Sequence, residues 1–354
     1  MIYLDHNATS PTRAEVVEAM LPFLREKWGN PSSIHGAGRA ARQGIDVARR
    51  QIAALFHAHE RQVVLTSGGT EANNLALHSL FGSPQEKGHL ITSSIEHPSI
   101  LEVCNELEKH GTAITRLDPD ADGVIALEKL ERALRPDTTL VSIMQANNET
   151  GVIQPVQEMA TLCRKAGVWL HTDAVQGAGR LPIHFDQAPF GMISVSAHKF
   201  GGPKGVGALI LNERVTLTPQ LVGGGQERGR RAGTENLPAI VGFGEAVNVL
   251  TQERETESDR LRTLRDHLER GLTQALPKAV IFGAQAERLP NTTHIGIPGL
   301  DGETLVMRMD LAGFAISGGS ACASGKTTSS HVLTAMGIEQ SAARSACRIT
   351  LGTG

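Results

Sequence analysis

Two charged residues follow apolar, strand-like segments, and together they could hold a cofactor. Asp173 follows the segment Val168–Thr172, and Lys199 comes shortly after Met192–Ser196. Burying a carboxylate at the end of a strand costs free energy unless a positive group lies beside it. Packing also does not explain a lysine in such a place. Pyridoxal 5′-phosphate needs a lysine for its Schiff base and a carboxylate that keeps its pyridine nitrogen protonated. The pair therefore indicates either this cofactor or a structural ion pair.

A phosphate group could be bound where a strand gives way to a helix. The segment Thr66–Glu71 contains two glycines, which allow close approach of the backbone, and the N–H groups at a helix start favour an anion. An ordinary strand-to-helix turn with a Ser or Thr cap explains the same residues about as well. If a phosphate does bind, Gly69 would give it close access, and the donors would be Thr70, Ser196 and His198.

Three further polar residues follow predicted strands and could contact a cofactor ring. His97 could stack on the ring and shuttle protons, although a lone histidine is more often structural. Asn148 and Gln176 could hydrogen-bond the phenolic oxygen of the ring and the groups beside it, although an Asx turn also explains the cluster around Asn148.

Cys322 differs from the other three cysteines in its surroundings. Its neighbours in Ser317–Gly325 are small, which predicts a loop with an accessible, reactive thiol. Cys104 and Cys163 lie in apolar helical patterns and are predicted to be core residues, and Cys347 receives no role.

Strand and helix patterns alternate through the first two thirds of the chain. The predicted strands are Gln62–Thr66, His89–Thr92, Thr139–Gln145, Val168–Thr172, Met192–Ser196 and Gly207–Leu211. The predicted helices are Ala72–Leu80, Ile100–Lys109, Leu127–Ala133 and Val156–Lys165. This order is typical of a parallel α/β sheet, at whose carboxyl edge ligands bind. Thr115–Gly123 is predicted to be a turn.

The last third of the sequence predicts a smaller α+β unit. Thr251–Leu272 has the leucine spacing of one amphipathic helix that connects two domains. After it come predicted strands Ala279–Phe282 and Thr292–Ile297 and a helix over Glu303–Leu311.

Composition excludes several classes of protein. The 354 residues carry a net charge of −3 and only 3% aromatics, so neither nucleic acid nor a membrane is expected as a partner. The four cysteines are widely spaced, which fits neither a zinc site nor a disulfide framework. Without an apolar run of membrane-spanning length or a signal-peptide pattern at Met1–Asp5, a cytoplasmic protein is expected.

Taken together, the motifs resemble those of the cysteine desulfurases of the NifS/IscS type, which are fold type I pyridoxal-phosphate enzymes. The matching segments are Tyr3–Thr9, Gly29–His35, Thr66–Asn74, Ile95–Pro98, Ala146–Gly151, His171–Gln176, Ser196–Lys199, Gly223–Gly229, Arg231–Thr234 and Ser320–Cys322. The resemblance implies an α/β fold with a mostly parallel seven-stranded sheet in a large domain over 14–255. It also implies a small α+β domain built from 1–13 and 256–354.

The resemblance also implies a role for each candidate residue. Lys199 would carry the cofactor, Asp173 would face its pyridinium nitrogen and His97 would stack on its ring. Asn148 and Gln176 would contact the ring, and Gly69, Thr70, Ser196 and His198 would hold the phosphate. Thr234 would reach the phosphate in the neighbouring subunit's site, which implies a homodimer. Arg348, whose guanidinium suits a bidentate contact, would bind the substrate carboxylate, with Asn148 beside it.

The implied reaction removes sulfur from L-cysteine. Lys199 would move the substrate α-proton, and the thiolate of Cys322 would attack the substrate sulfur, leaving alanine and a persulfide. An iron–sulfur scaffold or another acceptor protein would then receive the sulfur. Members of the family usually continue past the positions of Leu351 and Gly352, so a short C-terminal part is expected here.

Two other interpretations compete with this one. A selenocysteine lyase or an aminotransferase could share the fold, although an aminotransferase has no need of the Cys322 thiol. A non-catalytic homologue is disfavoured by the joint presence of Lys199, Asp173, His97 and Cys322.

Overall fold

The structure, a computed structural model, describes residues 1–81, 88–186, 190–318 and 330–353. The strands in these ranges are β1 (Ile2–Tyr3), β2 (Val63–Thr66), β3 (His89–Ser93), β4 (Ala113–Leu117), β5 (Thr138–Ser142), β6 (Trp169–Asp173), β7 (Met192–Ser196), β8 (Gly207–Leu211), β9 (Val280–Ile281), β10 (Thr292–Gly296), β11 (Phe314–Ala315) and β12 (Ala346–Thr350). The helices are α1 (Ala14–Arg25), α2 (Gly36–Leu55), α3 (Gly69–Phe81), α4 (Pro98–Lys109), α5 (Leu127–Ala133), α6 (Val156–Lys165), α7 (Leu237–Ala275), α8 (Gly302–Leu311), α9 (His331–Ala335) and α10 (Gln340–Arg344).

A seven-stranded sheet in the order β2-β8-β7-β6-β5-β3-β4 forms the centre of the molecule. Strand β8 runs antiparallel to both of its neighbours, and the other pairings are parallel. The predicted mostly parallel seven-stranded α/β sheet is therefore confirmed. Because six strands run the same way, their carboxyl ends meet at one edge of the sheet, where ligands bind in such folds.

Helices cover both faces of this sheet, so its strands are apolar on both sides. Ile193 and Val195 of β7 point into the core shared with α1, α2, α6 and α7. Met192, on the same strand, joins the opposite core, beneath α3 and α4. Strands buried on both faces read as continuous apolar runs, and that is why the sequence pattern identified them.

A separate small antiparallel sheet, in the order β12-β10-β9, is formed by the last third of the chain. It packs against α8 over a third apolar cluster. Strand β1 pairs in parallel with β11, and Asp5 bridges to Thr350. The N-terminal residues therefore lie against the C-terminal sheet, whereas the domain boundaries proposed above stay a prediction.

Two predicted elements differ from the structure. Residues 115–117 were expected in a turn, but they belong to β4, the edge strand that pairs with β3. The alternation of apolar and polar residues in β4 is weak because an edge strand is only half buried. The turn residues also begin just after this strand, so the sequence pattern merged the two. Helix α7 starts at Leu237, well before the predicted Thr251, since Asn236 caps it and its first half is apolar on several faces. Within the described ranges, no helix combines the length and apolar character needed to cross a bilayer.

A buried ion pair anchors the loop that precedes α7. Glu227 accepts two hydrogen bonds from Arg49 of α2, at 2.8 and 2.6 Å, and a third from the Leu65 amide at 2.9 Å. Both side chains are nearly inaccessible to solvent. Every carboxylate oxygen is thus satisfied, and the loop carrying Thr234 is fixed to β2.

We predict that Glu227→Ala lowers the free energy of unfolding by about 3–5 kcal/mol, because it leaves the Arg49 charge buried without its carboxylate partner. Urea unfolding of the cofactor-free protein measures the change. The double substitution Arg49→Met and Glu227→Met should cost less than Glu227→Ala alone. Asp137→Asn, which breaks a surface ion pair with Arg135, is the control and should leave the unfolding midpoint unchanged. A wild-type midpoint for Glu227→Ala would contradict the prediction.

Candidate active site

A cavity of about 400 Å³ lies at the carboxyl edge of the parallel strands. Ten of the twelve candidate residues line it, namely Gly69, Thr70, His97, Asn148, Asp173, Gln176, Ser196, His198, Lys199 and Arg348. The ends of β2, β3, β5, β6 and β7 supply nine of these residues, and β12 supplies Arg348. Cys322 lies outside the described residues. Thr234 is exposed and does not line this cavity.

Lys199 is held by the N-terminal segment of the chain. Its Nζ donates to the carbonyl oxygens of Asn7 at 2.6 Å and Ala8 at 3.0 Å. Burial, together with the charges of Arg348 and Arg180, lowers the pKa of Lys199 to about 8 against the opposing effect of Asp173. A minor fraction of the amine is therefore neutral, and nucleophilic, near neutral pH.

A chain of hydrogen bonds connects Asp173 to His97. Asn73 Nδ2 donates to Asp173 Oδ2 at 2.7 Å and to the Ser99 hydroxyl at 2.8 Å. The Ser99 hydroxyl lies 2.8 Å from His97 Nδ1, and the amide of Val175 donates to the other oxygen of Asp173 at 2.9 Å. The carboxylate at the end of β6 is thus oriented by two donors, although no cation contacts it within the described residues.

The same contacts fix the tautomer of His97. Its Nδ1 accepts from the Ser99 amide at 3.1 Å, so the proton of the neutral ring is assigned to Nε2. Burial lowers the pKa of His97, and Lys199 lowers it further while Asp173 opposes the shift. The neutral ring that lines the cavity can stack on a flat partner or exchange a proton through Nε2.

The start of α3 provides an anion site next to the cavity. Thr70, Ser196, His198 and Lys204 surround a neighbouring opening of about 350 Å³. A Cβ on Gly69 would come within 2.7 Å of Val175 Cγ2, so glycine avoids a steric conflict at the start of α3. Burial and two nearby lysines lower the pKa of His198 to about 4, and its Nδ1 lies 3.0 Å from the Thr9 hydroxyl. Neutral hydroxyl and imidazole donors beside a helix start are suited to a phosphate.

Arg348, on β12, also lines the cavity. Its two terminal nitrogens donate to Asp5 Oδ1 at 2.7 Å and to the carbonyl of Asn148 at 2.8 Å. The Nε of Arg348 is buried and has no partner among the described residues. A guanidinium that lines a cavity is the group expected of a carboxylate-binding arginine.

Several cavity residues received no role from the sequence. The carbonyl of Asn7 accepts from both Lys199 and Gln176, and Asn73 and Ser99 orient Asp173 and His97. Asp5 pairs with Arg348. The motifs containing Asp5, Asn7 and Asn73 were recognised, but these residues bond to distant partners that no local pattern reveals.

The cavity has the donor set that pyridoxal phosphate needs. Lys199 and Asp173 line it together, the flat His97 ring lies among the same lining residues, and a phosphate opening adjoins it. With the α/β sheet, this arrangement defines the class of fold type I pyridoxal-phosphate enzymes.

Comparison with known proteins specifies the family. The chain belongs to the aminotransferase class-V family, whose model matches residues 2–353. A relative named cysteine desulfurase IscS, from Dictyoglomus turgidum, is 44% identical over 352 residues, which is 99% of this chain and 89% of that protein.

Solved structures agree with this assignment. A NifS-like protein superposes with a TM-score of 0.93 at 37% identity, covering 99% of this chain and 93% of the other. A structure described as SspA in complex with cysteine superposes with a TM-score of 0.89 at 35% identity and covers 99% of both chains.

We predict that Arg348→Met raises the pKa of Lys199 above about 8 in the cofactor-free protein, because a positive charge that disfavours the ammonium is removed. The titration of ¹³C-methylated lysines by NMR measures this pKa, with Lys199→Ala assigning the signal. Arg344→Met removes an exposed charge and should have no effect. An unchanged titration in Arg348→Met would refute the electrostatic account.

Proposed function

We propose that this protein is a pyridoxal-phosphate-dependent cysteine desulfurase that takes sulfur from L-cysteine and holds it on Cys322. The observation that carries the proposal is that Lys199, Asp173, His97 and Arg348 line one cavity. Relatives named cysteine desulfurase, 44% identical over almost the whole chain, support the choice of this reaction over transamination. A cysteine-bound neighbour structure supports the choice of substrate.

The cofactor would be held at three points. Lys199 would bond to its aldehyde carbon, Asp173 would face the pyridinium nitrogen, and His97 would stack on the ring. Asn148 and Gln176 would contact the ring edge, and the phosphate would take hydrogen bonds from Thr70, Ser196 and His198 beside Gly69. When bound, the group supplies an electron sink for negative charge that develops at the substrate α-carbon.

Lys199 and Arg348 would handle the substrate. Arg348 lines the cavity and would bind the substrate carboxylate through its guanidinium. Lys199, with its pKa near 8, would be suited to take the α-proton and return it. Burial, together with the charges of Arg348 and Arg180, keeps the amine partly neutral, which this proton transfer requires.

Cys322 would be the sulfur acceptor. Its thiolate would attack the sulfur of the bound cysteine, so that an S–S bond forms as the substrate Cβ–S bond breaks. The products would be alanine and a persulfide, with no net oxidant required. A second thiol, on a reductant or on an acceptor protein such as an iron–sulfur scaffold, would then remove the outer sulfur. We place this exchange in the reducing cytoplasm, as the cysteine spacing implies.

A homodimer is the second part of the proposal. Trp28, Ile34 and Val222 are exposed by 73%, 91% and 83%, an unusual exposure for large apolar side chains that a second subunit would cover. Arg42 of α2 bonds to Glu235 at 3.0 Å, so the segment next to Thr234 is attached to the helix that follows Ile34. Thr234 would then be presented outward, toward the phosphate of the partner's site.

We expect the purified protein to release alanine from L-cysteine in the presence of a thiol reductant. Cys322→Ser should retain the visible absorbance of the cofactor and lose at least about a hundredfold in rate, because it lacks the sulfur acceptor. Cys163→Ala is the matched control, since the pKa of the buried Cys163 thiol is raised to about 12 and it packs in α6. Alanine release by Cys322→Ser at the wild-type rate would exclude the persulfide mechanism. Cofactor binding without alanine release would instead favour the aminotransferase interpretation.

Subunit exchange tests the dimer and Thr234 together. Mixing Lys199→Ala and Thr234→Val subunits forms hybrid dimers. At limiting cofactor, one of the two sites in each hybrid dimer should regain wild-type activity. That site combines Lys199 of one subunit with Thr234 of the other. If Thr234 served its own subunit, mixing would restore nothing. Thr273→Val, on the exposed face of α7, should behave as wild type, and sedimentation should give twice the chain mass.

A further inference from the structure

We propose that His57, His184 and Asp186 form a binding site for a divalent transition-metal ion of the class that imidazole favours, such as Zn²⁺. Each of the three side chains offers a ligand atom, and these atoms lie within 4.8 Å of one another. None of the three lines the cavity that contains Lys199. The site is therefore separate from the proposed chemistry on cysteine.

The spacing suits a single ion after a small contraction. Zn²⁺ lies about 2.0–2.1 Å from a histidine nitrogen, so neighbouring ligands of a tetrahedral ion are about 3.4 Å apart. Bringing atoms from 4.8 Å to that distance requires each of two side chains to move by less than about 1 Å. The imidazole centroids of His57 and His184 are already 4.4 Å apart, with an interplanar angle of 34°.

The backbone fixes the two segments that carry these ligands. The amide of Phe185 donates to the carbonyl of Phe56 at 2.9 Å, and both phenylalanine side chains are buried in the main core. His57 and His184 are thus the flanking neighbours of a backbone contact between the end of α2 and the connection from β6 to β7. Local preorganisation of this kind reduces the ordering that ligand binding must impose.

Two features of the histidines are poorly explained by packing. His184 Nδ1 is shielded from solvent and has no hydrogen-bond partner among the described residues, although such nitrogens are usually bonded. His57 has a φ of 52°, in the left-handed region just past the end of α2, where glycine is the common residue.

The donor chemistry selects the class of ion. Two imidazoles with one carboxylate suit Zn²⁺, Co²⁺ or Ni²⁺, whereas Mg²⁺ and Ca²⁺ prefer all-oxygen sites. Three protein ligands leave a fourth position for water in a tetrahedral site. The exposure of His57 and Asp186 gives the ion an open route from solvent.

Metal binding here would join two elements that position the proposed active site. The connection that carries His184 and Asp186 leads from β6, which ends at Asp173, to β7, which precedes Lys199. A metal that binds only the native form would raise the thermal midpoint as its concentration rises above its dissociation constant.

The test uses the cofactor-loaded enzyme and Zn²⁺ alone. Equilibrium dialysis with elemental analysis should find one Zn²⁺ more per chain in wild type than in His184→Gln, and binding at that site should weaken at least tenfold in His57→Gln. His110→Gln, at the exposed end of α4, is the matched control and should bind as wild type. The cysteine thiols and the cofactor phosphate can also bind Zn²⁺. The difference in bound Zn²⁺ between variants is therefore the readout.

Co²⁺ provides an independent measurement. Its ligand-field bands should appear in wild type and His110→Gln and be absent in His184→Gln, while Asp186→Asn keeps both imidazoles and should bind more weakly. Cofactor absorbance and circular dichroism establish that each variant is folded. Equal Zn²⁺ binding by wild type, His57→Gln and His184→Gln would overturn the proposal and leave the two rings as a contact pair without a metal.

Discussion

The contact between the Lys199 amine and the carbonyls of Asn7 and Ala8 is the interaction on which the site depends. It joins the end of a buried central strand to a segment near the N-terminus. That segment is fixed in turn, because the Asn7 amide donates to the Thr350 hydroxyl at 3.1 Å and Asp5 pairs with Arg348. The lysine and the arginine are therefore placed relative to each other through residues 5–8, although 149 residues of sequence separate them.

Burial sets the electrostatic balance around this contact. The positive charges of Arg348 and Arg180 lie near Lys199 and lower its pKa, although burial has the larger effect. Two nearby carboxyl groups add less negative charge than their number implies. Burial raises the pKa of Glu96 to about 8 and that of Glu149 to about 7. Glu149 also accepts a hydrogen bond from Ser330, so an acid that can be neutral at physiological pH connects the loop after β5 with the start of α9.

Parallel strand order explains why sequence reasoning located most of the site. Residues that directly follow apolar strands, such as Asp173 and Lys199, must appear at one edge once the strands align. Asn73 and Ser99 received no role from the sequence because they hydrogen-bond to other side chains of the site, and those partners lie on other elements. The edge strand β4 was missed for a related reason, since half-burial weakens its alternation.

The sequence by itself determined the class of fold, most of the strands along the chain and the polar residues that follow them. These follow from local features, namely apolar runs, turn residues and the polar side chains that end each run. Only the tertiary structure decided how Asp5, Asn7 and Arg348 come to the same cavity, and how the pKa of Lys199 comes to lie near 8. Those properties arise from burial and from contacts between distant parts of the chain, and no local sequence pattern predicts either of them.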